Sequence, residues 1–168
     1  MKDHRISQTG QRAGAALRSE PNSPQRILVV DEDSDLCQLY ATVLARPGCH
    51  VDVSRGGAAA WEALQTNHYS LLITENEMPD LTGVELVKTL RAARMTLPVI
   101  MAAGRLPTFE LAQNASLQLA ATLAKPFVVD ELLDTVKKVL CSTEGHREQI
   151  YPLPDGGSQP LPVELRAG

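Results

Sequence analysis

Short apolar runs alternate with amphipathic segments five times along the chain, and this alternation limits its fold more than any other feature. The apolar runs are rich in Val, Ile, Leu and Ala and are predicted β-strands: 26–31, 50–54, 70–74, 98–103 and 121–124. Apolar residues at helical spacing follow each run and predict helices over 36–44, 56–65, 84–91, 106–116 and 130–140. This pattern predicts an α/β fold in which right-handed crossovers join parallel strands and helices cover both faces of the sheet.

Polar, proline-containing segments flank the alternating region and mark the predicted domain boundaries. Residues 1–24 lack hydrophobic periodicity and end near Pro21 and Pro24, so they are predicted to be a disordered tail. The folded domain is predicted to span residues 25–141. Residues 142–168 contain four prolines and a Gly-Gly pair, which predicts a mostly disordered tail. The alternative is that this tail docks as a polyproline segment on a partner's aromatic groove.

Composition narrows the classes of function. The 168 residues carry a formal net charge of -4 and no block of Lys or Arg, so no binding to nucleic acid is predicted. No apolar run approaches the roughly 20 residues that span a bilayer, and the N-terminal segment lacks the apolar centre of a signal peptide. The chain is therefore predicted to be cytoplasmic and without a membrane partner. Three widely spaced cysteines favour structural thiols over a disulfide or a metal site.

Charged residues follow the predicted strands at the one edge of the sheet where their carboxyl ends meet. The residues at that edge are Asp31, Glu32, Glu75, Ala103, Gly104 and Lys125. Grouped carboxylates can hold a hard divalent cation, and a lysine beside them can neutralise a phosphoryl oxygen. A single acid at such a position is more often a helix cap, and Asp33 or Ser34 is predicted to cap the first helix.

Four segments, in order, resemble the receiver domain of two-component response regulators. "ILVVDEDSD" looks like the family's first strand with its acidic pair, and "LLITENEMPDLTGVEL" looks like the phosphorylation strand and turn. "LPVIMAAG" is similar to the fourth strand and "AKPF" to the Lys-Pro segment. The resemblance covers about residues 26–141. It implies a flavodoxin-like (βα)5 doubly wound sheet of order 2-1-3-4-5, and a phosphorelay signalling module that is not an enzyme.

Three residues match the functional positions of that family. The resemblance implies that Asp31 and Glu32 are the acidic pair that helps to bind Mg2+, and that Lys125 is the lysine that contacts the phosphoryl group. If Mg2+ binds, Asp31, Glu32 and Glu75 are the oxygen ligands that the resemblance implies.

Three other positions depart from the family's pattern. Glu75 stands where the family has its phosphoacceptor aspartate, and Ala103 stands where it has a Ser or Thr whose hydroxyl receives a phosphoryl oxygen. Thr122 stands where many members have an aromatic switch residue. Glutamate moves the attacking oxygen by about 1.5 Å, one carbon–carbon bond. An error of about an ångström costs on the order of a hundredfold in rate, and Ala103 removes a stabilising hydrogen bond as well.

These departures predict a stand-alone, atypical receiver that acts through protein–protein interaction with little or no phosphorylation. Glu75 could alternatively mimic the phosphorylated state in part, by reaching Lys125. A conventional phosphoaccepting switch is a further alternative. A remote one is a haloacid-dehalogenase-type phosphatase, which "ILVVDEDSD" also resembles, with Asp31 as nucleophile and Asp33 as general acid.

The predicted partners follow from the resemblance. They are a histidine kinase, a phosphotransfer protein or a downstream output protein, bound through the face formed by the fourth helix, the fifth strand and the fifth helix. Homodimerisation through the same face is left open, because the leucines near it, Leu117, Leu119 and Leu123, are equally well explained as core residues.

Overall fold

The computed structural model describes residues 25–45 and 49–149 of the chain, and within them five strands alternate with five α-helices. The elements are β1 Gln25–Val30, α1 Ser34–Leu44, β2 Cys49–Ser54, α2 Gly57–Thr66, β3 Leu71–Thr74, α3 Gly83–Ala92, β4 Val99–Ala103, α4 Thr108–Gln113, a 3-10 helix Ala115–Leu117, β5 Ala121–Ala124 and α5 Val129–Gln149. The predicted N-terminal tail, and the predicted C-terminal tail from residue 150 onward, lie outside the described residues. No described helix has both the length and the apolar character needed to span a bilayer.

All five strands pair in parallel in the order β2-β1-β3-β4-β5, which confirms the predicted α/β fold and its doubly wound topology. Val30 at the end of β1 is in register with Thr74 at the end of β3. Ala103 is likewise in register with Ala124. The residues that follow these strands therefore meet at one edge of the sheet, as the sequence predicts.

The sheet separates two apolar layers. Alternate residues of β1 face opposite sides, so Leu28 and Val30 pack in the layer with α2 and α3, whereas Ile27 and Val29 pack in the layer with α1 and α5. Every residue of β3 is buried. A central strand covered on both faces explains why "SLLI" reads as a continuous apolar run and shows no alternation.

The region between β4 and β5 differs from the predicted single helix over 106–116. α4 has only six residues and buries none of them, and the following 3-10 helix inserts Leu117 into the core instead. Arg91 on α3 fixes this arrangement, because its guanidinium donates hydrogen bonds to the carbonyl oxygens of Leu117 and Gln118 at 3.0 and 3.2 Å. A long-range contact therefore shapes this segment, which its own periodicity specifies poorly.

α5 also differs from its predicted extent. It begins at Val129 and continues to Gln149, eight residues beyond the predicted end of the domain at Cys141. The side chains of Ser142 and Thr143 bond back to the carbonyl oxygens of Lys138 and Val139. These local bonds fit a helix that continues after its last buried residues, where hydrophobic periodicity gives no signal.

Candidate functional site

Two buried carboxylates lie side by side at the carboxyl edge of the sheet. Asp31 directly follows β1 and Glu75 directly follows β3, and the amide of Glu75 donates a hydrogen bond to the carbonyl oxygen of Val30 at 2.9 Å. Asp31 is 2% exposed and Glu75 is 9% exposed. Charged groups are rarely buried to this degree unless they are paired, so a cationic partner is required.

Lys125 is that partner. The backbone amide of Lys125 donates a hydrogen bond to the carbonyl oxygen of Ala103 at 2.9 Å, and this bond fixes the position of the residue. Its Nζ lies 2.5 Å from Asp31 Oδ2 and 2.5 Å from Glu75 Oε2. Burial by itself lowers the pKa of Lys125, but the hydrogen bonds and negative charges of Asp31 and Glu75 outweigh it and raise that pKa. One protonated lysine therefore bridges two carboxylates, which leaves the three groups with one net negative charge.

Main-chain donors bind the remaining carboxylate oxygens. Asp31 Oδ1 accepts a hydrogen bond from the amide of Asp33 at 3.0 Å. Glu75 Oε1 accepts from the amide of Asn76 at 2.7 Å and from that of Glu77 at 3.4 Å. Each of the four carboxylate oxygens thus accepts a hydrogen bond from the chain itself, and we call this the closed arrangement.

The loop after Glu75 packs tightly against α3. The amide of Gly83 donates to the carbonyl oxygen of Asn76 at 3.0 Å. A Cβ atom at position 83 would lie 2.2 Å from the carbonyl oxygen of Glu75, so only glycine fits there. α3 then begins with a reciprocal capping box between Thr82 and Glu85. The "MPDLTG" segment therefore positions the backbone around Glu75.

Asp80 in the same loop caps a different helix. Its carboxylate accepts hydrogen bonds from the amides of Gly57 and Ala58 at the start of α2, at 3.1 and 2.9 Å. These bonds lower the pKa of Asp80. Sequence reasoning missed this role because the cap lies more than twenty residues away from the helix that it serves.

We call the contact of Lys125 with both Asp31 and Glu75 the lysine bridge. Other predicted site residues lie apart from it. Glu32 is exposed. Ala103 is fully buried and offers no side-chain polar atom, and Thr122 on β5 is exposed. The carboxylate of Asp33 accepts hydrogen bonds from the amides of Asp35 and Leu36, which makes Asp33 the cap of α1. The structure therefore confirms the predicted capping role of Asp33.

The predicted metal ligands do not converge. Among the described residues, no group of three or more His, Cys, Asp or Glu side chains is arranged to hold a metal ion. Asp31 and Glu75 do meet, but the lysine ammonium lies between their oxygens, and Glu32 does not join them. The side chains in this arrangement do not fit Mg2+.

Two residues of α1 next to the site were not predicted. The thiol of Cys37 donates to the carbonyl oxygen of Asp31 at 3.2 Å, and burial together with the charge of Asp31 raises the pKa of that thiol. Tyr40 is 2% exposed on the same helical face. The available signal was their spacing of three residues directly after the acidic segment, which places both on the face of α1 that covers β1.

The comparison with protein families identifies the class to which this fold and site belong. Residues 27–137 match the family model of the response regulator receiver domain, which covers more than half of the chain. The chain therefore belongs to the response regulator receiver domain family.

Individual relatives agree with this assignment. The chain is 29% identical over 116 residues to the response regulator receiver protein CpdR of Brucella abortus, covering 69% of this chain and 97% of that protein. The receiver domain of a Francisella response regulator superposes with a TM-score of 0.65 at 28% identity, covering 71% of this chain and 98% of that one. The response regulator TrrA of Thermotoga maritima, solved in complex with Mg2+ and BeF, gives a TM-score of 0.61 at 26% identity, covering 68% and 98%.

Other curated relatives are longer than the matched region. The chain covers 50% of the transcriptional regulatory protein DltR of Streptococcus agalactiae and 25% of the transcription factor SKN7 of Candida albicans. The shared part is thus the receiver domain of two-component signalling.

Proposed function

We propose that this receiver domain signals through protein–protein contacts with little or no phosphorylation. The observation that carries the proposal is the lysine bridge: Lys125 holds both Asp31 and Glu75 at 2.5 Å, and Glu75 stands at the position of the family's acceptor aspartate. A receiver in this state has one dominant conformation before its partner binds and does not depend on a phosphoryl donor.

The position of the Glu75 carboxylate opposes phosphotransfer. Attack on a phosphoryl donor requires an oxygen atom aligned in line with the bond that breaks, and errors of about an ångström cost on the order of a hundredfold in rate. Oε2 of Glu75 is bonded to Lys125 and Oε1 to the amide of Asn76. An attacking oxygen would have to come into line while it accepts one of these hydrogen bonds, on a side chain one methylene longer than aspartate.

The surroundings of Glu75 also provide little to stabilise a phosphoryl group. Ala103 contributes no hydroxyl, and Lys125 is already shared between two carboxylates. Because the three predicted metal ligands do not converge, no step of the proposed function is routed through Mg2+. The structure of TrrA contains Mg2+ and BeF; we propose that this chain has lost that mode of use.

The lysine bridge favours a single conformation over a constitutive mimic of the phosphorylated state. A glutamate supplies one negative charge, whereas a phosphoryl group supplies about two and three acceptor oxygens. Because Ala103 has no hydroxyl, no hydrogen bond at this position can couple the negative charge of Glu75 to the loop before α4. Thr122 on β5 is exposed and lacks the aromatic ring whose rotation would report activation.

The proposed partner surface is the face formed by α4, β5 and α5. α4 buries none of its residues, and Phe109 on it is 73% exposed, an unusually open position for a large aromatic side chain. The proposed partner is a histidine kinase, a phosphotransfer protein or a downstream output protein. A second copy of the chain would compete for the same face.

The test is to incubate the purified protein with acetyl phosphate and Mg2+ and to measure its intact mass. We expect no stoichiometric, acid-stable and hydroxylamine-labile phosphoryl adduct on the natural chain. If Glu75 and Ala103 alone prevent phosphorylation, Glu75→Asp combined with Ala103→Thr gains such an adduct, whereas Glu75→Asn with Ala103→Thr does not. A stoichiometric adduct on Glu75 of the natural chain would refute the proposal.

A further inference from the structure

Tyr40 carries the one buried side-chain polar atom in the described part of the chain that has no hydrogen-bond partner. Tyr40 as a whole is 2% exposed, and its hydroxyl has neither a donor nor an acceptor within hydrogen-bonding distance. Leaving a buried hydroxyl unpaired is unfavourable, so such a group requires an explanation beyond the filling of space. An aliphatic side chain would fill an apolar layer without this cost.

The position of Tyr40 connects it to the lysine bridge. Cys37, one turn earlier on the same face of α1, donates its thiol to the carbonyl oxygen of Asp31 at 3.2 Å. The Tyr40 phenol is close enough to Asp31 and Glu75 for their negative charges to act on it. Its ring packs against Phe127, two residues after Lys125, with ring centroids 6.1 Å apart. Tyr40 therefore lies between the segments that carry Asp31 and Lys125.

The electrostatic surroundings keep this hydroxyl a donor. Burial raises the pKa of Tyr40, and the negative charges of Asp31 and Glu75 raise it further. The side chain thus remains protonated at neutral pH beside two carboxylates. In the closed arrangement it bonds to none of the carboxylate oxygens, each of which accepts from Lys125 or from a main-chain amide.

We propose that Tyr40 is a positioning residue for a second arrangement of the site, in which its hydroxyl donates to a carboxylate that Lys125 has released. When Lys125 turns toward an anionic group of a partner, Asp31 Oδ2 and Glu75 Oε2 lose their shared donor. A buried carboxylate without a donor is strongly unfavourable, and the Tyr40 hydroxyl replaces the lost bond. This inference rests on the proposed function in that the lysine bridge is the resting state.

The test is a thermal double-mutant cycle on the full chain with Tyr40→Phe and Lys125→Met. In the natural background Tyr40→Phe removes an unpaired hydroxyl, and we expect the unfolding midpoint to rise by about 2–4 °C, the shift that roughly corresponds to one hydrogen-bonding group. In the Lys125→Met background the same change removes a bonded hydroxyl, and we expect the midpoint to fall by a similar amount. The change of sign is the signature of the proposed role.

Tyr69→Phe is the matched control. The Tyr69 hydroxyl donates to Asp52 Oδ2 at 2.8 Å, in a network with Arg26 and not with Lys125. Its removal should lower the midpoint equally in both backgrounds. If Tyr40→Phe also shifts the midpoint equally in both, Tyr40 is only a core residue and the inference is wrong.

A second measurement covers the case in which Lys125→Met does not fold. Lys125→Gln keeps a polar side chain, and NMR of chain labelled with 13C at the tyrosine ζ carbon reports directly on hydrogen bonding of the phenol. We expect the Tyr40 resonance, assigned by its loss in Tyr40→Phe, to shift in Lys125→Gln while that of Tyr69 does not. An unshifted Tyr40 resonance would overturn the inference.

The two proposals fail in different experiments. A phosphoryl adduct on Glu75 would refute the proposed function whatever the thermal cycle shows. Additive midpoint shifts without an adduct would leave the proposed function standing and remove only the role of Tyr40.

Discussion

Lys125 Nζ lies 2.5 Å from each of two buried carboxylates, so a single substitution leaves both without their cation. Removing one partner of a buried ion pair typically costs about 3–5 kcal/mol, because the remaining charge is uncompensated. We expect Lys125→Met to lower the free energy of unfolding by about that amount, measured by urea denaturation. Lys88→Met is the control: Lys88 is exposed on α3, and its replacement should change stability by less than about 0.5 kcal/mol. Equal stability of the two variants would contradict the structural role of the bridge.

The same residues predict how stability depends on pH. The pKa values of Lys125 and Tyr40 are both raised in the folded protein. A raised folded pKa contributes stability that is fully present below the unfolded pKa and is lost as the pH rises through the folded one. We therefore expect the free energy of unfolding to decrease as the pH rises above about 10, the ordinary value for both groups. Urea denaturation at several pH values between about pH 8 and pH 11 measures this decrease in the free energy of unfolding. Lys125→Met should show a smaller alkaline decrease, and an unchanged slope would contradict the assignment.

At this scale the sequence predicted that Asp31, Glu75 and Lys125 meet, but it did not predict how they bond or that Glu32 stays apart from them. Asp31, Glu75 and Lys125 each follow a strand, and parallel topology alone brings strand ends to one edge. The bridge depends on side-chain conformations across three different strands, and the exposure of Glu32 depends on how the chain enters α1. The unpaired hydroxyl of Tyr40 was equally hidden, since a buried aromatic residue on a helix face usually indicates only a core.

Among the secondary-structure elements, the start of α3 sets the shape of the loop after Glu75. A Cβ on Gly83 would approach the Glu75 carbonyl oxygen to 2.2 Å, whereas a Cβ on Gly104 would meet no atom within 4 Å. We expect Gly83→Ala to cost about 1–3 kcal/mol of unfolding free energy, because the contacted atom is backbone and cannot move away cheaply. Gly104→Ala should stay within about 0.5 kcal/mol of the natural chain. Chemical denaturation of both variants measures the difference, and a tolerated Gly83→Ala would show that the loop is not tightly packed.

The elements also show where periodicity stops being informative. β3 buries all of its residues, α3 buries every Val and Leu that it contains, and both were predicted with nearly correct bounds. In α4, Leu111 is only partly buried against the core and Phe109 is exposed, and Arg91 of α3 holds the turn that follows. A contact made by a residue on another helix cannot be read from the local pattern of the segment that it constrains.

For the whole molecule, the layered architecture followed from the sequence because most strands read as short apolar runs, β2 as an alternating segment, and the helices as apolar stripes. The order 2-1-3-4-5 did not follow from periodicity, and it came from the resemblance to a family. The order of the strands depends on contacts between segments far apart in the chain. The periodicity of a single segment carries no information about these contacts.

The same architecture predicts an uneven distribution of local stability. β3 is paired on both sides and fully buried, whereas α4 buries none of its six residues. Segments with few buried contacts open at low free-energy cost, while central strands open only on global unfolding. We expect hydrogen–deuterium exchange to label the amides of α4 much faster than those of β3, with α3 close to β3 because it buries five residues. Mass spectrometry of peptides from the labelled chain measures this order. Protection of α4 equal to that of β3 would mean that α4 is held by contacts beyond those described, and the proposed partner face would lose its most adaptable element.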